Sequence, residues 1–522
     1  MIAPEASDRR FDAWLVLILA AAAVLLFYRL DQRPFWQDEA ETACLARNLL
    51  RFGQPLAYDG VNLISQEEGR EFGADRVWRW SPRLQIYLMA ASFRLVGQTT
   101  WAGRLPFALC GWLTVFLVYR FVRRIAGDPA WARLSATFLA GSVPFLLFAR
   151  QGRSYPAAML LTMIVLPVLF RPTRMNLVMA VLGLGAMFHL NYIVFAGFFC
   201  GLVLALWRER KNIPASHLAV AAAALALLVA PGFWWYRIAS RAGLLHGDRL
   251  PVQFGRNVVS LLQFALPLPL LAVLLLRWRR RPGAAGEPLI RTLLVLLAGN
   301  VLGVTLAPQE YFRYLVHLLP LCAIVSAWGV RALWPVHRPA AVLLGLLLGL
   351  TNWLHLLPLE WIGLNRRPWH NDPAMLTSPN IPLKLFWTEL RDGYPDVNAA
   401  LIAYLRAEAR PGDTVLATYG DLPLQFYTRG RVLGGFQGEP PEATSPPDWV
   451  IVRRRTWLTR DDRLPLAVLF ADRLHLDADY EPVVLPVPDE PFGNRPDPYY
   501  HHFIPPREPY QHAVLYRKRT RE

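Results

Sequence analysis

An apolar helix of roughly 20 residues spans the hydrocarbon core of a bilayer, because each residue rises about 1.5 Å through a layer near 30 Å thick. This sequence repeats such a run along most of its length. The runs cover residues 14–27, 104–119, 134–149, 154–170, 213–236, 257–276, 292–308, 314–330 and 339–357. The uncharged stretch 175–207 is too long for a single crossing and carries basic residues on both flanks. It therefore passes twice, turning near His189-Leu190-Asn191-Tyr192. About 11 crossings follow, and the expected fold is an α-helical polytopic membrane protein. A composition that is 54% hydrophobic and 18% charged excludes a string of soluble domains.

The net charge of +16 is spread in short Arg clusters between apolar runs, as membrane topology requires and nucleic-acid binding does not. No nucleic-acid partner is expected. Arg9 and Arg10 put the N-terminus in the cytoplasm, and the first run lacks a small-residue cleavage site, so it reads as a retained helix. An odd number of crossings then sends the C-terminus outside, periplasmic or extracellular, with a bacterial inner membrane as the expected location. Cys44, Cys110, Cys200 and Cys322 have no CxxC spacing, which argues against a disulfide framework or zinc knuckle.

This topology leaves only short basic loops inside, too small for a folded nucleotide-binding domain. The chemistry is expected outside, where two larger pieces lie. The transmembrane part, 1–360, includes a first external loop at 31–98 with interfacial helices, and a soluble α/β domain covers 380–522. In that domain 396–409 reads as a helix, 414–418, 431–433 and 449–452 as strands, and 422–427 as a short helix. No Gly-rich phosphate fingerprint follows these strands, so a lid or acceptor-side platform is the expected role. The closing segment 491–506, with Asn494, Arg495, Tyr499, Tyr500, His501 and His502, reads as an ordered surface loop in preference to a metal-binding His pair.

The first external loop holds the densest acids. Residues 39–52 are good helix formers stopped by Gly53, and Asp38 starts the helix. Two readings of Asp38 stand level: a capping box with Glu41, or a functional acid at the bilayer edge, where ionised groups are expensive. Glu67, Glu68, Glu71 and Asp75 read as a solvated face. Residues 84–96, ended by Gly97, read as a helix lying along the interface.

The segments FWQDEAETACLARNLLRFGQP, WSPRLQIYLMAASFRLVG and TTWAGRLPFALCGWLTVFLVY together resemble the start of polytopic glycosyltransferases of the GT-C fold. That group holds protein O-mannosyltransferases and bacterial lipid A aminoarabinose transferases. FARQGRSYPAAML, HLNY, PQEYFRYLVHLLP and RPGDTVLATYGDLPLQFYT extend the resemblance through most of the chain. It implies that the Asp-Glu pair of the first external loop, here Asp38 and Glu39, carries the catalytic carboxylate. The family's Pro-Pro or Lys-Pro pair stands here as Ser81-Pro82-Arg83, so Arg83 replaces any lysine charge. The resemblance also implies a polyprenyl-phosphate-linked sugar as donor and a lipid, glycan or protein as acceptor. Metal use is left open, since some relatives use a divalent cation and others do not, and this chain has no HExxH or similar ligand spacing.

Residue chemistry agrees with that implication. A carboxylate must take the acceptor's hydroxyl proton, and cations must steady the departing phosphate. Asp38 is the expected base. Arg150 and Arg153 at the end of the third crossing, Arg313 before the tenth, and Arg83 are the expected phosphate ligands, with snorkelling at helix ends as the alternative reading. Tyr155 and Tyr314 beside these arginines, and His189 and Tyr192 at the later turn, are candidate substrate contacts. Glu310 is a candidate partner for Arg313. Attack opposite the departing phosphate implies inversion. The competing class is a transporter or flippase for lipid-linked sugars, which calls for inverted repeats with broken, charge-bearing helices; the sequence shows no such repeat. Sugar, acceptor and oligomeric state are not encoded legibly.

Overall fold

A computed structural model describes residues 12–209, 213–239, 249–280, 286–307, 311–367, 375–438, 446–454, 463–490 and 495–519. Arg9, Arg10, Glu310 and Asn494 lie outside the described residues. The chain begins with α1 (Ala13–Phe27), then α2 (Gln37–Phe52) and α3 (Leu84–Val96) of the first loop. The helical body continues with α4 (Thr100–Ala126), α5 (Pro129–Gly141), α6 (Val143–Ala149), α7 (Tyr155–Val165), α8 (Arg174–Leu190), α9 (Tyr192–Glu209) and α10 (Ala215–Trp235). It closes with α11 (Leu250–Phe264), α12 (Leu268–Arg280), α13 (Glu287–Val304), α14 (Leu319–Leu333), α15 (Arg338–Leu350) and α16 (Trp353–Trp361).

Four helical segments are long and apolar enough to cross a membrane alone, and three bent pairs qualify together. Five shorter apolar helices, α1, α3, α7, α8 and α9, accompany them among the described residues. The bends are a difference from the sequence reading, which treats 134–149, 257–276 and 339–357 as unbroken. The α5–α6 pair bends by 64°, α11–α12 by 88° and α15–α16 by 91°. Each break has a local cause. Ser142 is extended and caps α6 with Pro144 behind it, and Pro267 separates α11 from α12. At the third break Asn352 turns its amide to the carbonyls of Leu376 and Ser378, at 3.2 and 2.8 Å. A cavity of about 100 Å³ lies where the three breaks meet, lined by Ser142, Gln263, Thr351 and Asn352.

Packing inside the membrane uses small residues and freed carbonyls. Gly197 and Gly201 of α9 face Gly299 and Gly303 of α13: a Cβ on Gly299 would sit 2.7 Å from the Gly201 Cα, and one on Gly303 2.9 Å from the Gly197 Cα. Two four-residue glycine spacings thus meet and let the backbones touch, which is how helices associate where water supplies no driving force. In α4, Pro106 has no N–H for the carbonyl of Ala102, and Ser92 of α3 donates its hydroxyl to that oxygen at 2.5 Å.

The C-terminal part adds α17 (Pro382–Asp392), which packs against α6, and sets α18 (Val397–Glu408) and α19 (Asp421–Tyr427) against a five-stranded sheet. Its strands are β1 (Thr414–Ala417), β2 (Arg431–Gly434), β3 (Trp449–Ile451), β4 (Tyr480–Pro488) and β5 (His512–Lys518), in the order β2-β1-β3-β5-β4. β1 pairs in parallel with β2 and β3, while β5 runs antiparallel to β3 and β4. The helix and three strands read from the sequence are present, and β4 and β5 complete the sheet. This layer is sewn to the first loop. Arg47 of α2 donates to the carbonyls of Gln425 and Phe426, and Tyr427 accepts from the Phe35 N–H at 3.0 Å.

Two expectations fail here. Glu71 is no part of a solvated face. It is 1% exposed and accepts from Ser65 Oγ at 2.9 Å and from the N–H groups of Gln66 and Glu67, and burial pushes its carboxyl up to about 7. The closing segment is no surface loop either. Arg495, Asp497, His501, His502 and Phe503 are buried, and Tyr499 reaches Ser260 and Gln263 of α11 at 3.0 and 3.2 Å.

Candidate active site

The first turn of α2 decides what its acids can do. Trp36, not Asp38, occupies the N-cap position, and the Glu39 carboxylate reaches back to the Trp36 N–H at 3.4 Å. The helix therefore starts at Gln37, and Asp38 sits inside its first turn with its carboxylate released from capping. Residues three and four apart share a helix face, so Asp38, Glu41 and Thr42 look one way and Glu39 another.

The Glu39 side is closed. Arg104 Nε and Nη2 form a two-point bond to its oxygens at 2.9 and 2.7 Å, and the Gly152 N–H donates at 2.7 Å. Glu39 is 1% exposed, and Arg104 also donates to the carbonyls of Leu30, Arg33 and Pro34. A Cβ at position 152 would lie 2.6 Å from Met89 Cε, so the tip of that methionine would have to move aside.

The Asp38 side is half-open. Arg313, on the one-turn helix Phe312–Tyr314 ahead of α14, donates Nη1 to Asp38 Oδ2 at 2.7 Å. Arg153, from the loop between α6 and α7, donates Nη1 to the Asp38 carbonyl at 2.8 Å, Glu41 Oε1 at 3.1 Å and Thr42 Oγ1 at 2.8 Å. Burial pushes the Glu41 carboxyl above its usual range against the pull of Arg153, and Asp38 adds to the push. Among the described residues, Arg153 Nε, Arg313 Nε and Trp36 Nε1 are buried and meet no hydrogen-bond partner. Three donors aimed at nothing in one small region are costly in a fold unless something accepts from them.

Aromatic rings wall this side. The Arg313 guanidinium lies 4.2 Å from the Tyr311 ring centroid and 5.6 Å from that of Tyr314. Tyr155 packs edge-on against Phe148, which also meets Phe312 beside Arg313. Of the residues singled out in the sequence, the structure thus gathers Asp38, Arg153, Arg313, Tyr155 and Tyr314, while Tyr192 opens α9. Arg150 stands elsewhere, donating to the carbonyls of Leu25, Leu26, Tyr28 and Arg29 at the C-terminal end of α1, where a cation is favoured. Arg83 lies 4.4 Å over the Trp235 ring, and its N–H donates to Tyr236 Oη at 3.4 Å. Tyr236 also meets His189 Nδ1 at 3.1 Å, so Arg83 and His189 belong to a second cluster at the end of α10.

Glu41 and Tyr311 were not read as site residues from the sequence. The i, i+3 spacing of Asp38 and Glu41 could have found the first; Tyr311 gave no signal. Among the described residues no group of three His, Cys, Asp or Glu stands where it could hold a metal ion. The cavity at the helix breaks is lined by none of the Asp38 cluster.

Known proteins resemble this chain in part or in fold. Residues 81–235, from just before α3 to the end of α10, match the family model described as dolichyl-phosphate-mannose-protein mannosyltransferase. That span includes Arg153 and excludes Asp38 and Arg313. No curated protein matches the sequence. Among solved structures, ArnT from Cupriavidus metallidurans bound to undecaprenyl phosphate aligns with a TM-score of 0.55 at 15% identity, over 96% of this chain and 98% of that one. The apo form aligns with a TM-score of 0.54 at the same identity, over 96% and 97%. The chain therefore has the membrane GT-C fold, with its C-terminal sheet domain included in the alignment.

Proposed function

We propose that this chain is an inverting glycosyltransferase that moves a sugar from a polyprenyl-phosphate donor to a hydroxyl acceptor on the outer face of the membrane. One observation carries the reading: a partly exposed acid, Asp38, is flanked by two arginines that each keep a buried N–H without a protein acceptor. That is the arrangement needed to place an anionic leaving group beside a base. The partial match to a mannosyltransferase family supports it, as does a fold shared with a protein solved with undecaprenyl phosphate bound.

The step balances as follows. The acceptor hydroxyl gives its proton to an Asp38 oxygen as its own oxygen bonds to the anomeric carbon. The bond from that carbon to the phosphate oxygen breaks, its electron pair stays on the phosphate, and the configuration inverts. Phosphate charge grows during the step, so guanidinium groups that hold it bind the transition state better than the donor. Asp38 is ion-paired with Arg313 at rest, which occupies one of its carboxylate oxygens. Donor phosphate arriving at Arg313 competes with that bond and frees the carboxylate at the moment it is needed. Glu39 acts by position, locking the turn that carries Asp38.

A flippase reading is not favoured, because the family match is to a transferase and the three helix breaks fall at uncharged residues. The test is to incubate purified protein in liposomes with a panel of polyprenyl phosphate sugars and measure free lipid phosphate. Release that depends on an added hydroxyl acceptor is expected with at least one donor; no release from any donor would refute the reading.

A further inference from the structure

The buried closing segment brings a third guanidinium to the same place. The Arg495 guanidinium lies 5.6 Å from the Trp36 ring centroid, 5.7 Å from that of Tyr311 and 4.9 Å from that of Tyr500. Tyr311 is also the ring that carries Arg313, and Trp36 is the N-cap of α2, so Arg495 stands at the Asp38 mouth. It forms an ion pair with Asp497 at 3.6 Å. The positioning is not loose. His501 holds the Arg495 carbonyl at 3.2 Å through Nδ1 and meets Glu389 at 2.6 Å through Nε2, and Arg33 braces Glu389 at 3.1 Å and the His502 carbonyl at 3.0 Å.

Asp497 favours the Arg495 cation, while Arg313, which leans on the same tyrosine, opposes it. An anion between the two arginines turns that repulsion into two attractions.

We propose that Arg495 is a donor-binding residue: with Arg313 it holds the non-bridging oxygens of the donor's phosphate, so the external domain completes the site. The proposal rests on the transfer reading above. It assigns the domain a direct contact with the lipid phosphate in place of a lid or platform role. A planar guanidinium can take two phosphate oxygens at once, whereas an ammonium acts as a point charge. Lysine at 495 should therefore retain part of the effect.

The test uses the full chain in detergent micelles, with native mass spectrometry following binding of undecaprenyl phosphate and of undecaprenol, which has the same tail without the phosphate. Arg495→Ala is expected to weaken undecaprenyl phosphate binding by roughly tenfold or more while leaving undecaprenol unchanged, with Arg495→Lys in between. Equal loss for both lipids would mean that Arg495 serves only to dock the tail, and unchanged phosphate binding would mean that it does not touch the donor; either result overturns the proposal. Should Arg495→Ala fail to fold, Arg495→Lys decides by the same two-lipid contrast. A wild-type chain that binds both lipids alike would refute the function reading itself and the assignment with it, whereas loss of discrimination only in the variants supports both.

Discussion

Asp38 and Glu39 are neighbours in one helical turn, yet they have opposite surroundings. Glu39 is sealed: a two-point arginine bond, a backbone N–H and a capping contact account for both of its oxygens. Asp38 is 15% exposed at its side chain, has one bond from an arginine that is itself incompletely satisfied, and faces a wall of tyrosines. A buried ion pair whose every polar atom is matched is costly to break and chemically idle. One with donors left over is poised to take a ligand. The difference teaches that burial of an acid says little about function, and that the ledger of its partners' hydrogen bonds says more.

The sharpest way to break this comparison is to neutralise the open acid. Asp38→Asn should lower transfer by about 10²–10⁴-fold while leaving thermal unfolding near that of the wild type, as measured by lipid phosphate release and by melting in detergent. The same change at its neighbour should do the reverse: Glu39→Gln leaves Arg104 buried without its counter-charge and should cost about 3–5 kcal/mol of stability, read from chemical unfolding. Comparable activity losses with unchanged melting in both variants would erase the distinction. Arg313→Gln removes a phosphate ligand and should lower kcat by roughly 10²-fold, with the loss carried by donor variants that keep the phosphate.

A smaller effect tests the edge of the open side. Asp421 at the start of α19 accepts from Gln37 at 2.8 Å, and burial pushes its carboxyl up to about 6. A carboxyl raised in the folded state holds its proton where the unfolded chain has lost it. Stability should therefore fall as pH rises from about 4 to 6, and the loss should be fully present above that window. Asp421→Asn should gain roughly 1–3 kcal/mol at pH 7.5 and nothing at pH 4, followed by hydrogen exchange in α19. An equal gain at both pH values would show that the ionisation is not the cause.

Much of this was legible in the sequence. The apolar runs, the helix ending at Gly97 and the acid-rich helix that ends at Gly53 follow from periodicity and charge placement alone. What was hidden depends on partners far along the chain. Asp38 looked like a cap because it is a capping residue type, but Arg104 holds Glu39 where it can cap Trp36, a residue with no such propensity. β4 was missed because YEPVVLPVP carries three prolines, which a strand tolerates only at the edge of a sheet, where β4 lies. Arg153 and Arg313 could be found because charges at helix ends stand out against apolar runs. Arg495 could not, since nothing near it in sequence tells that its segment is buried beside Trp36 and Tyr311.

The central claim is that Asp38 accepts the acceptor's proton while the arginines keep the donor in place, so binding and chemistry must separate at this residue. Single-turnover transfer by Asp38→Asn, measured on protein preloaded with a turnover-competent polyprenyl phosphate sugar, tests it directly. The account predicts donor bound as tightly as by the wild type and transfer slowed by orders of magnitude. Transfer at the wild-type rate from the same preloaded protein would contradict it.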